Sequence, residues 1–240
     1  MPYPYPTKVD PYPGIFNFEV YDIADAILFG GGCWLWVIAY AIIIHNIVKY
    51  KKLEMPTLVG TGNFAWEGYW AWIGMNNMGY IATYAYQAWF ILDIFIWYSL
   101  LRYGQVDTQH PLLSKRFKTY AIVATCLWFG FFYYLHSMDL DTGIGAHSAY
   151  ILNWLISLTY VLNYAKLRKT TMVYSVTVAW LKLIGTAMNT VFMFKFYPLD
   201  GFLQYLGIGI FCLDLWYAIW MTRDRITGQV LHPKRRVVEA

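Results

Sequence analysis

The sequence predicts an all-α, polytopic membrane protein built as a seven-transmembrane-helix bundle. Three observations carry that reading. Of the 240 residues, 59% are hydrophobic, 20% aromatic and only 13% charged, whereas a soluble domain carries about 25% charged residues. Apolar runs recur seven times, each near the ~20 residues an α-helix needs to cross ~30 Å of hydrocarbon. Those runs are about twice the length of barrel strands and lack strict alternation, so helices are favoured over a β-barrel.

In chain order the spans cover about 24–48, 64–82, 85–103, 118–136, 148–166, 173–194 and 203–221, within a single transmembrane domain over 1–240. The break between the second and third, inside NNMGYIATYAY, is the least sharply marked. All nine prolines lie outside the spans, so the helices are expected to be continuous, unlike the interrupted helices of many transport sites. The glycines of FGGGCW, 29–34, suit close helix–helix approach in the first span. Cys33, Cys126 and Cys212 fall inside spans without paired spacing and read as small packing residues. The opening MPYPYPTKVDPYPG is expected to be an extended arm at the outer interface, with no cleavable signal evident.

Orientation follows from the basic residues. Fifteen of the 18 Lys and Arg fall between spans one and two, three and four, five and six, or after span seven. That side is expected to be cytoplasmic, with the N-terminus outside and the C-terminus cytoplasmic. A bacterial inner membrane and an endoplasmic reticulum fit equally. The net charge of +4 is then a topology signal and an attraction to anionic headgroups, not a sign of nucleic-acid binding.

A faint repeat runs through the chain. ILDIFIWYSLLR in span three and CLDLWYAIWMTR in span seven each place a Leu-Asp the same distance before an Arg, and WIGMNN in span two resembles LIGTAMN in span six. Helices four apart in a seven-helix chain point the same way, which is compatible with a parallel 3+1+3 pseudo-repeat.

Four ionisable residues lie well inside spans: Glu67, Asp93, Lys182 and Asp214, with His45 near the end of span one. Intramembrane ionisable groups are costly and mark functional sites by default. Asp93 and Asp214 sit ~13–14 Å from the cytosolic border by helical rise. Glu67 is expected at a comparable depth, so three carboxylates are expected to converge on one pocket in the cytoplasmic half. Pairing with Lys182 is the competing explanation for each of them. A dry, aromatic-walled pocket disfavours an ionised carboxylate, and two carboxyls sharing a site cannot both ionise cheaply. Such an acid keeps its proton and can give it to a weak base, such as an epoxide oxygen or an alkene. Trp66, Tyr69, Trp70 and Trp72 flank Glu67, and Trp216, Tyr217 and Trp220 follow Asp214. Their faces stabilise a passing cation by ~1–2 kcal/mol and offer no nucleophile. The five histidines show no metal spacing. His136, Asp139, Asp141 and His147 cluster in an outer loop and make at most a weak cation site. With no nucleophile elbow, P-loop or dinucleotide fingerprint, neither metal nor cofactor is expected.

These residues bring a family into view. The chain resembles the small seven-helix membrane-bound terpene cyclases of fungal meroterpenoid and indole-diterpene pathways and their bacterial relatives. The matching pieces are Asn63-Phe-Ala-Trp66-Glu67, AWFILDIFIWYSLLRYG at 88–104, WLKLIGT at 180–186 and LDLWY at 213–217. The resemblance implies that Glu67 and Asp214 are the essential catalytic pair. Asn63, Trp66, Tyr69, Trp70, Asp93, Lys182 and Tyr217 are expected around the substrate. It also implies metal-independent protonation of an epoxide or alkene on a prenyl chain, then a cation–olefin cascade ended by proton loss. The implied partners are a lipophilic prenylated or epoxyprenylated substrate and the lipid bilayer, with an upstream prenyltransferase and epoxidase as pathway neighbours. The short connection near 76–86 and the arm at 1–14 depart from the family pattern. Two alternatives stay open: a sugar-like membrane transporter, against which the unbroken helices and absent Pro-Gln signature stand, and a non-catalytic membrane subunit. A retinal protein would want a Lys in the last span, and none precedes Arg223 there.

Overall fold

The computed structural model describes residues 5–74, 76–107, 114–168 and 174–229. Among these residues there are seven long helices and no strand: α1 Ile23–Tyr50, α2 Thr57–Trp72, α3 Tyr80–Asp107, α4 Phe117–Ser137, α5 Ala146–Leu167, α6 Val176–Phe196 and α7 Gly201–Ile226.

Hydrogen bonds between connections define the two ends of the bundle. At one end the N-terminal arm ties three connections together. The Gly143 N–H donates to the Pro6 carbonyl, the Tyr80 and Ile81 N–H groups donate to Gly14 and Ile15, and the Leu199 N–H donates to the Tyr5 hydroxyl. We call this the arm end. At the opposite, basic end the Ser175 N–H donates to Glu54 Oε1, joining the α1–α2 connection to the start of α6.

Helix α1 lies along α6 and also touches α3, while α2 packs on α3 and α4 and reaches α5. Helix α7 packs on both α5 and α6. Backbones approach closely where α1 crosses α6: a Cβ on Gly32 would stand 2.7 Å from the Gly185 carbonyl, and one on Gly185 would stand 3.0 Å from the Gly32 carbonyl. Only glycine permits that crossing, so the FGGGCW segment serves close packing. The same helix pair is clamped at the arm end. Asp22 and Asp25 form a reciprocal capping box at the start of α1, and Lys195 of α6 reaches both carboxylates, at 2.9 and 2.7 Å.

Span two is where the structure departs most from the sequence expectation of 64–82. The helix instead covers Thr57–Trp72. Its first turns, with Val59, Gly60, Thr61, Gly62 and Asn63 all buried, are too small and polar to register as an apolar run. They face other helices, where small residues are favoured. Consequently Glu67 lies ~15 Å from the basic-end start of α2 and only ~8 Å from its arm-end finish. The expected matching of WIGMNN with LIGTAMN is not kept either: α2 stops at Trp72, whereas Leu183–Asn189 lies inside α6.

Large apolar side chains cover the outside, among them Ile27, Trp34, Ile91, Leu127, Leu162, Val191, Ile208 and Trp216. Three helices, α1, α6 and α7, are long and apolar enough to cross a membrane, with mean hydropathies of 2.2, 1.3 and 1.5.

Candidate active site

The bundle encloses a cavity of about 750 Å³ of empty space, counting what opens outward. Its walls come from α1 (Phe29, Trp36, Tyr40), α2 (Asn63, Trp66, Glu67), α3 (Tyr86, Trp89), residues 144–156 at and beyond the start of α5, and α6 (Thr186, Asn189, Met193). Ile144, Gly145, Phe29 and Met193 place it in the arm-end half. The expectation of a pocket in the half nearest the basic connections is therefore corrected, for the reason that moved Glu67: α2 starts earlier than its hydropathy suggests.

Glu67 is 2% exposed and forms part of this wall. The Tyr40 hydroxyl donates to its Oε1 at 2.6 Å, and Asn63 Nδ2 donates to the same oxygen at 2.9 Å. Asn63 sits one helical turn before Glu67, so the two side chains share a face of α2. Its Nδ2 also donates to the Tyr40 oxygen, at 2.5 Å, and to Asp93 Oδ2 at 3.2 Å. One amide thus joins two buried carboxyls and a phenol. Glu67 Oε2 and Asp93 Oδ1 are buried without a hydrogen-bond partner. When Glu67 is protonated, Oε1 is already occupied by two donors, so the proton belongs on Oε2.

Asp214 is held elsewhere. Lys182 Nζ stands 2.5 Å from Asp214 Oδ2 and donates to Ser157 Oγ at 2.7 Å. Both charged side chains are buried, and neither lines the cavity. Lys182 lies 5.6 Å from the centroid of the Trp36 ring, and Trp36 meets Tyr40 edge-on at 6.0 Å. Asp214 is therefore linked to Glu67 through Lys182, Trp36 and Tyr40.

The other expected site residues divide. Asn63 and Trp66 line the cavity, and Trp66 Nε1 donates to Ser148 Oγ at 2.8 Å. Tyr69 turns to α4, its hydroxyl 2.7 Å from His136 Nδ1. Trp70 is buried beneath it against the His136 ring. Tyr217 packs edge-on against Tyr160 and Tyr164, toward the basic end. The outer-loop cluster separates into structural contacts. Asp139 meets Thr7 and Lys8, and Asp141 Oδ1 accepts the N–H groups of Thr142, His147 and Ser148. His147 Nε2 lies 2.6 Å from Asp200. Burial holds the Asp141 carboxyl above the ordinary range, an effect opposed by those N–H groups.

Sequence reading missed Tyr40, whose signal was a lone phenol among aliphatic residues in VIAYAIII, and the cavity amides Asn153 and Asn189. It also missed Glu54 in the α1–α2 connection, whose carboxyl burial pushes up to about 8.

The site is thus a buried acid on the wall of an aromatic cavity. The family described as Pyr4-like transmembrane terpene cyclases matches residues 12–223. The chain belongs to that family. Terpene cyclase ascF of Acremonium egyptiacum is 31% identical over 102 residues, covering 41% of this chain and 36% of that protein. Terpene cyclase macJ of Penicillium terrestre is 23% identical over 163 residues, covering 63% of this chain and 59% of that protein. The matches thus span about a third to three fifths of these curated relatives' length. No solved structure matches this cyclase-family chain.

Proposed function

We propose that this chain is a membrane terpene cyclase in which Glu67 supplies the initiating proton to a prenyl chain bound in the arm-end cavity. The observation that carries the reading is Glu67 itself: Oε1 saturated by Tyr40 and Asn63, Oε2 unpartnered, and the side chain on the wall of an aromatic cavity. The O–H bond of Glu67 breaks as the proton passes to an epoxide oxygen or a terminal alkene carbon. The resulting tertiary cation is attacked by successive double bonds, and loss of a proton from carbon ends the cascade. One proton enters and one leaves, so the product is an isomer of the substrate. Trp36, Trp66, Tyr86 and Trp89 line the path and stabilise the cation through their faces. Asp93 and Asp214 act as positioning residues, Asp93 through Asn63 and Asp214 through Lys182. The family match favours this reading over a transporter or an inert subunit.

Seven spans, an outside N-terminus and a cytoplasmic C-terminus complete the reading, supported by the apolar perimeter and the basic end. The lipophilic substrate reaches the cavity from the bilayer, and a prenyltransferase and an epoxidising monooxygenase supply it. A parallel 3+1+3 plan is supported by adjacency: α3 packs on α1 and α2 as α7 packs on α5 and α6, with α4 on α2 and α3. The Asn63–Asp93 and Lys182–Asp214 contacts then correspond, spanning 30 and 32 residues and offset from each other by about 120 along the chain.

The test is Glu67→Gln in membranes supplied with a terminally epoxidised prenyl substrate. Gln keeps shape and hydrogen bonding but has no acidic proton. Turnover should fall by roughly 10²–10⁴-fold with the protein still folded, and EDTA should leave the wild-type rate unchanged. Wild-type turnover by Glu67→Gln rejects the assignment.

A further inference from the structure

The cavity has a thin wall at the arm end. Between α4 and α5 it is bounded by a connection, not a helix, and there Ile144 and Gly145 line it. Gly145, at φ 73°, leaves no room for a Cβ, which would stand 2.3 Å from the Trp70 ring. Gly143 meets the N-terminal arm instead. A Cβ there would stand 2.5 Å from Val9 Cγ1, and the Gly143 N–H donates to the Pro6 carbonyl. Ile144 is thus flanked by two glycines, and Val9 packs directly on the residue beside the wall.

The arm is pinned at two further places round this end. Tyr5 meets Tyr197 edge-on at 5.0 Å, and Tyr197 lies one helical turn beyond Met193 of the cavity wall. Gly14 and Ile15 hold the start of α3, the helix that carries Tyr86 to the cavity. Pro6, Pro11 and Pro13 restrict the unattached arm, which lowers the entropy lost on holding it in place. Lys8 and Asp139 add an exposed ion pair at 3.1 Å, which contributes little by itself. The arm therefore holds the connection chiefly through backbone hydrogen bonds and the Val9 contact.

A carbocation in the cavity has two fates. Loss of a proton from an adjacent carbon leaves an alkene and an isomer of the substrate. Capture by water forms a C–O bond, the added water releases its proton to solvent, and the product is heavier by one water. Aromatic walls offer no nucleophile, so the outcome rests on whether water enters.

We propose that the arm seals this end of the cavity against water and thereby sets how the cascade ends. With Pro6 and Val9 on Gly143 the last cation loses a proton; with the arm displaced, water adds to it. The claim on termination rests on the cyclase reading, whereas the seal itself does not.

The experiment pairs a labelling measurement with product analysis. In a chain carrying Cys33→Ala, Cys126→Ala and Cys212→Ala, the substitution Ile144→Cys puts a thiol on the wall for a water-soluble maleimide. Reaction needs a water-exposed thiolate, so removal of residues 2–13 should speed labelling by at least ~10-fold. Gly143→Ala drives a methyl group into Val9; it should speed labelling of the full chain and add nothing in the shortened one. Adding Val9→Ala to Gly143→Ala restores space and should restore slow labelling. With an epoxyprenyl substrate, the full chain should give isomers only. The shortened chain and Gly143→Ala should give water adducts as well.

Equal labelling of full and shortened chains overturns the seal. Should the shortened chain fail to fold, unchanged labelling in Gly143→Ala, or no recovery on adding Val9→Ala, overturns it. Faster labelling with isomers still the sole products overturns the control of termination. Labelling that responds as expected, with no product from any chain, keeps the seal and removes the cyclase reading together with the claim on termination.

Discussion

Lys182 and Asp214 form a buried ion pair, Nζ to Oδ2 at 2.5 Å, with Ser157 as a further acceptor for the ammonium. The pair sits behind the cavity wall, with Trp36 between Lys182 and Tyr40. Breaking such a pair leaves an uncompensated buried charge, whereas replacing both members with apolar groups removes the whole cost. Asp214→Asn and Lys182→Met should therefore each destabilise the protein by about 3–5 kcal/mol. The double replacement Lys182→Met with Asp214→Leu should recover most of that in detergent melting curves. If Asp214 acts by positioning, the double variant also regains turnover to within about tenfold of wild type. A double variant that melts normally and makes no product assigns Asp214 to the substrate instead.

Tyr40 offers a milder test of how Glu67 is held. Tyr40→Phe removes the donor to Glu67 Oε1 and the acceptor for Asn63, yet keeps the ring against Trp36. Asn63 still donates to Glu67. Turnover should fall about tenfold, the kinetic equivalent of one net hydrogen bond of ~1.4 kcal/mol, with the same product. Loss as complete as that of Glu67→Gln would mean that the phenol itself moves the proton.

Glu54 makes stability depend on pH. Its carboxyl is buried in the α1–α2 connection, with Oε1 accepting the Ser175 N–H, and burial raises it from 4.5 to about 8. Between those values the folded protein holds a proton that the unfolded chain has released. Stability therefore falls as pH rises from about 4.5 to 8 and levels off above that. Glu54→Gln keeps an acceptor for Ser175 and removes the titration. The variant should melt above wild type at pH 8.5 by an amount on the order of a few kcal/mol, and near parity at pH 4. A wild-type melting temperature that rises across this window would contradict the assignment.

The number and order of the helices were legible because lipid-facing and core-facing residues are both apolar, so each helix reads as one run. The same property hid the start of α2. Gly60, Thr61, Gly62 and Asn63 pack inward against other helices and look polar to a hydropathy window. That single shift moved Glu67 away from the basic border to mid-depth, where it meets Tyr40 and, through Asn63, Asp93. The buried acids stood out as costly residues, but their partners did not. Whether Asp93 or Asp214 meets Lys182 depends on which helix α6 packs against, and α6 lies on α7. Tyr40, Asn153 and Asn189 carry no motif; they matter because five helices bring them to one cavity.

Asn63 is the junction of the acid network, and its substitution tests whether Asp93 works through it. Its two N–H hydrogens face three acceptors: Tyr40, Glu67 and Asp93. Asp93, lying in the middle of α3 with no exposed surface, fixes the amide with its nitrogen toward the carboxyls. Asp93→Asn still offers Asn63 an acceptor, so the expected loss is about tenfold in turnover. Asn63→Leu strips a donor from both acids and should cost roughly 10²-fold, with Tyr40 alone left to hold Glu67. Groups that act as one network are not additive. The double variant Asn63→Leu with Asp93→Asn should therefore be little worse than Asn63→Leu alone. In all three, the ratio of cyclised products should match wild type, because the network sets the acid and not the course of the cation. Rate and product analysis on one epoxyprenyl substrate decide the matter. Full turnover with a new ring pattern in Asp93→Asn would make Asp93 a guide of the cation, and additive losses would place it outside the Asn63 network.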